Sequence, residues 1–181
     1  LKSVSENPVS LTIGAGVPLS DAMPVVKNNF PALFDILSVF GSQQIRNLAT
    51  FGGNLGTASP IGDTLPVLIA YNAKVVLSSP AKKREVPLDE FVVGYRKTVR
   101  RADELITAVV LPKVNNGSLV KSYKVSKRKD LDISTVSGGF RLDLSNDHVV
   151  KDIKLVYGGM AETTKRATNV EKFLVDKPWK R

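Results

Sequence analysis

Cysteine is absent from the 181 residues, and histidine occurs once, at His148. The first absence excludes a disulfide framework and any thiolate-ligated iron–sulfur or zinc site; the second leaves no histidine cluster for a transition metal. Redox chemistry in this chain therefore needs an organic cofactor. No apolar run approaches the ~20 residues that span a bilayer, and no signal-peptide pattern opens the sequence. Aromatic residues make up only 7% of the chain, against 43% hydrophobic and 24% charged. That balance reads as a soluble globular protein, with enough chain for one large domain or two small ones.

Acidic residues are also scarce, 17 against 26 Lys plus Arg, which gives a net charge of +9 and a pI near 9.8. The basic excess is scattered over Lys82-Lys83-Arg84, Arg96-Lys97, Arg100-Arg101 and Lys127-Arg128-Lys129. No aromatics interleave with these clusters as a base-stacking platform requires. They read as a solvated surface or a docking face for an acidic partner, not as a nucleic-acid site.

Along the chain, residues 9–17 predict a β-branched strand running into a glycine turn. A helix entry follows at Pro18-Leu19, with Ser20 or Asp21 as its cap. Val25, Val26, Phe30, Leu33, Ile36 and Leu37 recur at helical spacing, and Pro31 divides them into two short helices. Gly41 to Pro66 shows little periodicity and reads as a long loop, the kind that is most often functional. Ala73–Ser78 predicts a strand, Val86, Leu88 and Phe91 a short element, and Leu105–Leu111 a buried strand stopped by Pro112. After Asn115-Asn116-Gly117-Ser118 the pattern alternates through Ser118–Ser126, Val136–Leu144 and Ile153–Tyr157. Asn146-Asp147 marks a tight turn that leaves His148 at the surface. Thr163–Leu174 reads as a helix. A domain boundary is expected near residue 117. Both ends read as cut, since Leu1 stands almost inside a strand pattern and the chain stops soon after a helix.

Phe51-Gly52-Gly53-Asn54-Leu55-Gly56-Thr57 carries the most chemistry. Three glycines and an asparagine allow left-handed backbone and close approach to a ligand, so successive N–H groups can form an anion nest for a pyrophosphate. Thr50 and Thr57 add hydroxyls, Ser59 supports the loop, and Asp63 suits a sugar hydroxyl or the loop's own amides. On spacing alone, a glycine-rich turn held by an Asx-type bond explains the segment equally well. No Gly-Lys-Ser/Thr follows, so it is not a Walker motif; nor does Gly14-Ala15-Gly16 complete a dinucleotide fingerprint.

The run Gln44-Ile45-Arg46-Asn47-Leu48-Ala49-Thr50-Phe51-Gly52-Gly53-Asn54-Leu55, continued by Thr57-Ala58-Ser59-Pro60-Ile61-Gly62-Asp63, resembles the FAD-binding subunit or domain of the xanthine dehydrogenase family, the molybdenum hydroxylases. Further blocks agree in order: Gly94-Tyr95-Arg96-Lys97-Thr98, Glu104-Leu105-Ile106, Tyr123 through Ile133, Tyr157-Gly158-Gly159-Met160-Ala161 and Thr163 through Ala167. Together they extend over nearly the whole chain.

The resemblance implies an α+β fold: a vanillyl-alcohol-oxidase (PCMH)-type FAD-binding domain over 1–116, then the small C-terminal domain of carbon monoxide dehydrogenase-type flavoproteins over 117–181. It implies FAD as cofactor, with 2Fe-2S clusters and molybdopterin only in partner subunits or domains, and NAD as electron acceptor. Carried over by position, Phe40, Thr50, Phe51, Gly52, Gly53 and Asn54 line the FAD, Thr57 lies near its phosphates, and Asp63 contacts it. Ile106 packs on the isoalloxazine with Lys124 beside it, while Tyr95 and Arg96 face the nicotinamide substrate. The Lys127–Lys129 cluster is expected near the flavin, where it tunes access of NAD. Lys124 and its basic neighbours are expected to raise the flavin potential. On pattern alone, Ile106 is strand core, Lys124 an exposed lysine, and Tyr95 the cap of a packed turn. No catalytic acid, nucleophile or metal ligand is expected. The resemblance places an earlier glycine-rich pyrophosphate loop before residues 9–13, and LKSVSENPVS cannot supply it. The expected function is an electron-transfer flavoprotein component, soluble and cytoplasmic; the alternative is a truncated docking module that does not hold FAD alone. The Gly94–Thr98 block tilts the substrate class towards purines.

Overall fold

The computed structural model describes residues 1–128 and 131–180. Lys129 and Asp130, parts of the basic cluster and of the third block above, lie outside the described residues. The chain opens with β1 (Val4–Glu6) and β2 (Ser10–Gly14), an antiparallel hairpin in register Val4↔Ile13. Asn7 closes its turn, its Oδ1 accepting from the N–H groups of Val9 (2.9 Å) and Ser10 (2.7 Å). This is an Asx-type turn.

Pro31 divides the next segment into α1 (Leu19–Asn29) and α2 (Pro31–Ser38), as expected of a proline at the first helical position. The cap expected at Ser20 or Asp21 is not formed. Pro18 precedes the helix, and the Leu19 N–H donates instead to the Ala49 carbonyl at 2.8 Å. Main chain from a distant segment has taken the place of a side-chain cap.

The loop expected over 41–66 is replaced by α3 (Gln43–Leu48), α4 (Phe51–Gly56) and the start of α5 (Thr64–Ala70). Hydroxyl caps start the first two, Ser42 accepting from Ile45 N–H (3.2 Å) and Thr50 from Gly53 N–H (3.0 Å). Their apolar content is too short for a period to register, so composition suggested loop. Helix α5 is buried along its whole length.

Then follow β3 (Lys74–Ser78), β4 (Lys83–Pro87), α6 (Leu88–Phe91), β5 (Val92–Gly94), β6 (Lys97–Thr98) and β7 (Leu105–Pro112). The last part comprises β8 (Leu119–Val125), β9 (Val136–Leu144), β10 (Val150–Gly158), β11 (Lys165–Arg166) and α7 (Thr168–Leu174). The helix expected from Thr163 begins only at Thr168. Arg166 is drawn into pairing with β10 and into ion pairs with Glu171 (2.8 Å) and Asp89 (3.0 Å). The Asn146-Asp147 turn forms as expected, with exposed His148 in left-handed backbone.

One sheet runs β1-β2-β7-β3-β4, a second β11-β10-β9-β8, and β5-β6 forms a two-stranded ribbon, all neighbours antiparallel. Helices α2 and α5 pack against the second sheet, Ser122 Oγ donating to the Ala32 carbonyl at 2.6 Å. Phe30 and Tyr71 meet edge to face in the core, and burial pushes the Tyr71 phenol up to about 12. Among the described residues, no helix is long and apolar enough to cross a membrane.

Candidate functional site

The three glycines of α4 are not left-handed, and no anion nest forms. Positive φ among glycines is confined to Gly41, Gly117 and Gly159. The N–H groups at the helix start are already engaged: Gly52 with the Ala15 carbonyl (3.1 Å), Gly53 with Thr50 Oγ1, and Asn54 with the Thr50 carbonyl (2.9 Å). The glycines serve packing instead. A Cβ at Gly52 would stand 2.7 Å from the Ala15 Cβ, so only glycine lets α4 lie against the turn after β2. Asn54 turns inward and its Oδ1 accepts from Thr64 Oγ1 at 2.5 Å, tying α4 to the start of α5. Thr57 bonds back to the Asn54 carbonyl at 2.8 Å, and Ser59 Oγ accepts from Ile61 N–H, supporting the loop as anticipated.

Two cavities involve this helix. The first, of about 330 Å³, has an apolar wall of Phe40, Ile45, Ile61, Leu131 and Ile133 and a polar edge of Asn54, Asp63, Lys124 and Ser134. Lys124 Nζ meets Asp63 Oδ2 at 2.8 Å, both side chains about nine-tenths buried, and Ser134 Oγ donates to the other carboxylate oxygen. Arg46 holds the Phe40 corner, donating through Nη1 to the carbonyls of Phe40 and Gly41, each at 3.0 Å. The second cavity, of about 370 Å³, is lined by Leu1, Ala15, Gly16, Gly52, Arg100, Glu104, Leu105 and Ile106.

At the second cavity, Arg84 grips Glu104 with Nε–Oε1 at 2.7 Å and Nη2–Oε2 at 2.9 Å, and Arg101 N–H adds a bond at 2.8 Å. These donors, the guanidinium foremost, hold the Glu104 carboxyl down to about 2 from an ordinary 4.5. Because the folded value is depressed, the stabilisation is complete above about 4.5 and is lost as the pH falls towards 2. Glu104→Gln is therefore expected to be less stable than the parent at pH 6, with the gap narrowing as the pH falls from about 4.5 towards 2. Urea midpoints across that range measure it; a gap independent of pH would contradict the assignment.

The family described as "FAD binding domain in molybdopterin dehydrogenase" matches residues 1–114. The chain belongs to that family. A second family, "CO dehydrogenase flavoprotein C-terminal domain", matches residues 121–181. Xanthine dehydrogenase of Emericella nidulans is 39% identical, aligned over 92% of this chain and 13% of its own length. Nicotinate hydroxylase of the same organism is 36% identical over 98% of this chain and 14% of its own. Carbon monoxide dehydrogenase from Hydrogenophaga pseudoflava superposes with a TM-score of 0.92 at 25% identity, covering 99% of this chain and 63% of that one. The chain thus spans about an eighth of the length of the curated relatives it matches. The matched region is the FAD-binding part of a molybdopterin dehydrogenase family.

The structure gathers Phe40, Asn54 and Asp63 of the FAD-binding domain with Lys124, from the region matched by the second family, around one cavity, and Gly52 and Ile106 around the other. Ile106 and Lys124 line different cavities. Phe51 is fully buried and belongs to the hydrophobic core, so its side chain lines neither cavity. Thr50 and Thr57 cap the two ends of α4, and Gly53 lies exposed in its first turn. Asp63 binds Lys124 and Ser134 and not the loop amides. Tyr95 and Arg96 occupy the turn between β5 and β6, Tyr95 being 57% exposed with the Arg96 guanidinium 5.7 Å from its ring centroid. The pattern reading missed Arg46, Arg100, Ser134 and the Glu104 network. Arg46 and Glu104 stood in the family-like blocks without a role, and nothing local marks Ser134.

Proposed function

We propose that the chain is the electron-transfer flavoprotein component of a cytoplasmic molybdenum hydroxylase resembling xanthine dehydrogenase. It would take electrons from iron–sulfur clusters in a partner subunit or domain, with molybdopterin in another, and deliver them through FAD to NAD. The observation that carries this reading is the pair of cavities on either flank of the family's glycine-rich helix. One is apolar with a hydrogen-bonding edge, which suits a planar heteroaromatic ring. The other, lined by glycine backbone and by Leu1, Leu105, Ile106, Arg100 and Glu104, offers the cofactor a second apolar wall at Ile106. The residues present therefore fit FAD.

When bound, FAD supplies the redox chemistry, accepting single electrons and giving up two with a proton as hydride. Phe40 would pack against the isoalloxazine, and Asn54, Asp63 and Lys124 would fix its polar edge. Gly52, Gly53, Thr50 and Thr57 would border the cofactor, Thr57 near its phosphates, and Ile106 would pack on the isoalloxazine. Tyr95 and Arg96, on their hairpin, would meet the nicotinamide. The expected rise in flavin potential from Lys124 is small, because Asp63 compensates its charge at 2.8 Å. Residues 1–116 and 117–181 are assigned to the two domains, supported by the family matches on 1–114 and 121–181. Purine specificity has weaker support than the Gly94–Thr98 block suggested, since a nicotinate hydroxylase is nearly as similar as a xanthine dehydrogenase.

The purified chain mixed with FAD and desalted is expected to retain flavin absorbance, and NADH is expected to bleach it. A chain that stays colourless would favour the docking-module alternative. Retained flavin that NADH leaves oxidised would remove NAD as the acceptor.

A further inference from the structure

The apolar wall of the first cavity stands next to a hinge. Phe40 follows α2 and is succeeded by Gly41, whose φ of +52° is left-handed backbone, before Ser42 caps α3. Glycine there leaves the chain free to turn, so nothing local fixes the Phe40 ring against the cavity. The next helix fixes it instead. Arg46 Nη1 donates to the Phe40 and Gly41 carbonyls, each at 3.0 Å, and so spans the glycine from both sides.

Arg46 has no carboxylate partner among the described residues; its third acceptor is Gln43 Oε1 at 3.1 Å. Its Nε is buried and, among the same residues, unpartnered. A guanidinium partly desolvated and aimed at neutral oxygens is not held there by charge pairing, and what its forked donors do is fix backbone. Lys124 Nζ reaches the Val39 carbonyl at 3.5 Å, so three successive carbonyls past α2 face cations, the favourable charge for a helix C-terminus. Arg46 itself lines neither cavity, whereas Phe40 lines the first.

We propose that Arg46 is a positioning residue for the flavin ring, acting through Phe40, an inference that rests on the flavin reading above. By holding both carbonyls across Gly41 it keeps the aromatic wall in place before the ring arrives, which spares binding the entropy of ordering that corner. The effect belongs to the isoalloxazine, so it is the same for FAD and for a flavin without the nucleotide end.

The test compares the 181-residue chain with Arg46→Met, Arg46→Lys, Phe40→Leu and the two double variants, each titrated with FAD and with riboflavin and read by visible flavin absorbance. Loss of the charge-assisted fork predicts about tenfold weaker binding of both flavins in Arg46→Met, with a visible band less structured than in the parent. Arg46→Lys should recover part of the loss, since an ammonium cannot fork as a guanidinium does. On the Phe40→Leu background, Arg46→Met should cost no further affinity, because no aromatic ring is left to hold. In the flavin-free chain, the Val39 and Phe40 N–H groups, which bond back to Ile36 and Leu37, should exchange with solvent about tenfold faster in Arg46→Met, while amides of β9 keep their parental rates. An equal loss of affinity on both backgrounds would overturn the role, as would parental affinity and band shape in Arg46→Met. If Arg46→Met does not fold, Arg46→Lys on the two backgrounds decides the same question. Corner exchange that stays at the parental rate would overturn the hold of Arg46 without reference to any ligand. A parent chain that binds neither FAD nor riboflavin would overturn the flavin reading itself, before any variant is compared.

Discussion

Lys124→Met is expected to destabilise the folded chain by about 3 kcal/mol, the scale on which removing one partner of a buried ion pair is felt. The two side chains are about nine-tenths buried, and Asp63 keeps only the Ser134 hydroxyl once the ammonium is gone. Methionine fills the space of the lysine stem, so the loss is electrostatic and not a cavity. One further result follows. Adding Asp63→Asn should restore much of the stability, since the amide needs no counter-charge and still faces Ser134. Urea denaturation followed by circular dichroism of the two single variants and the double variant gives these numbers, and strict additivity of the two substitutions would show that the pair is not coupled. For the flavin, this pair means that Lys124 acts less as a bare charge than as the fixed end of a neutral polar edge.

That pair also shows where the sequence was legible. Each partner was singled out, Asp63 for its place after the glycine-rich segment and Lys124 by resemblance. Nothing in a linear reading brings positions 61 residues apart together; the β8–β9 meander packed on α2 and α5 does that. Strong local signals held: the Pro31 break, the Leu105–Leu111 strand, which the structure carries on through Pro112, and the Asn146-Asp147 turn depend on one residue's geometry or on a dense apolar run. Expectations failed where tertiary contact overruled composition. The glycines of α4 suggested flexible backbone but permit helix-to-turn contact. Phe51, in the midst of cofactor-like residues, turned to the core because α4 buries that face, whereas Ile106, read as either core or contact, borders a cavity.

The same logic of close approach makes Gly139→Ala a damaging substitution. A Cβ at Gly139 would lie 2.3 Å from the Pro66 carbonyl carbon and oxygen and 2.4 Å from the Val67 nitrogen, all backbone of α5. Backbone cannot swing aside as a side chain does, so β9 and α5 must separate. Overpacking of this kind costs about 3 kcal/mol at the upper end of its usual range. The consequence reaches the candidate site through geometry. Asp63 immediately precedes α5, while Lys124 sits on β8 opposite Ser137 of β9, so displacing α5 from the sheet pulls directly on the 2.8 Å ion pair. Gly139→Ala is therefore expected to lose flavin affinity along with stability, though no atom of Gly139 lines either cavity. Gly94→Ala is the control, because a Cβ there meets nothing nearer than the Lys97 side chain at 3.8 Å. Its melting temperature should stay close to that of the parent chain. A Gly139→Ala protein with parental stability would mean that α5 and β9 stand further apart than the structure places them. A destabilised one that still binds FAD at parental affinity would show instead that the Asp63–Lys124 edge tolerates movement of the helix beneath it.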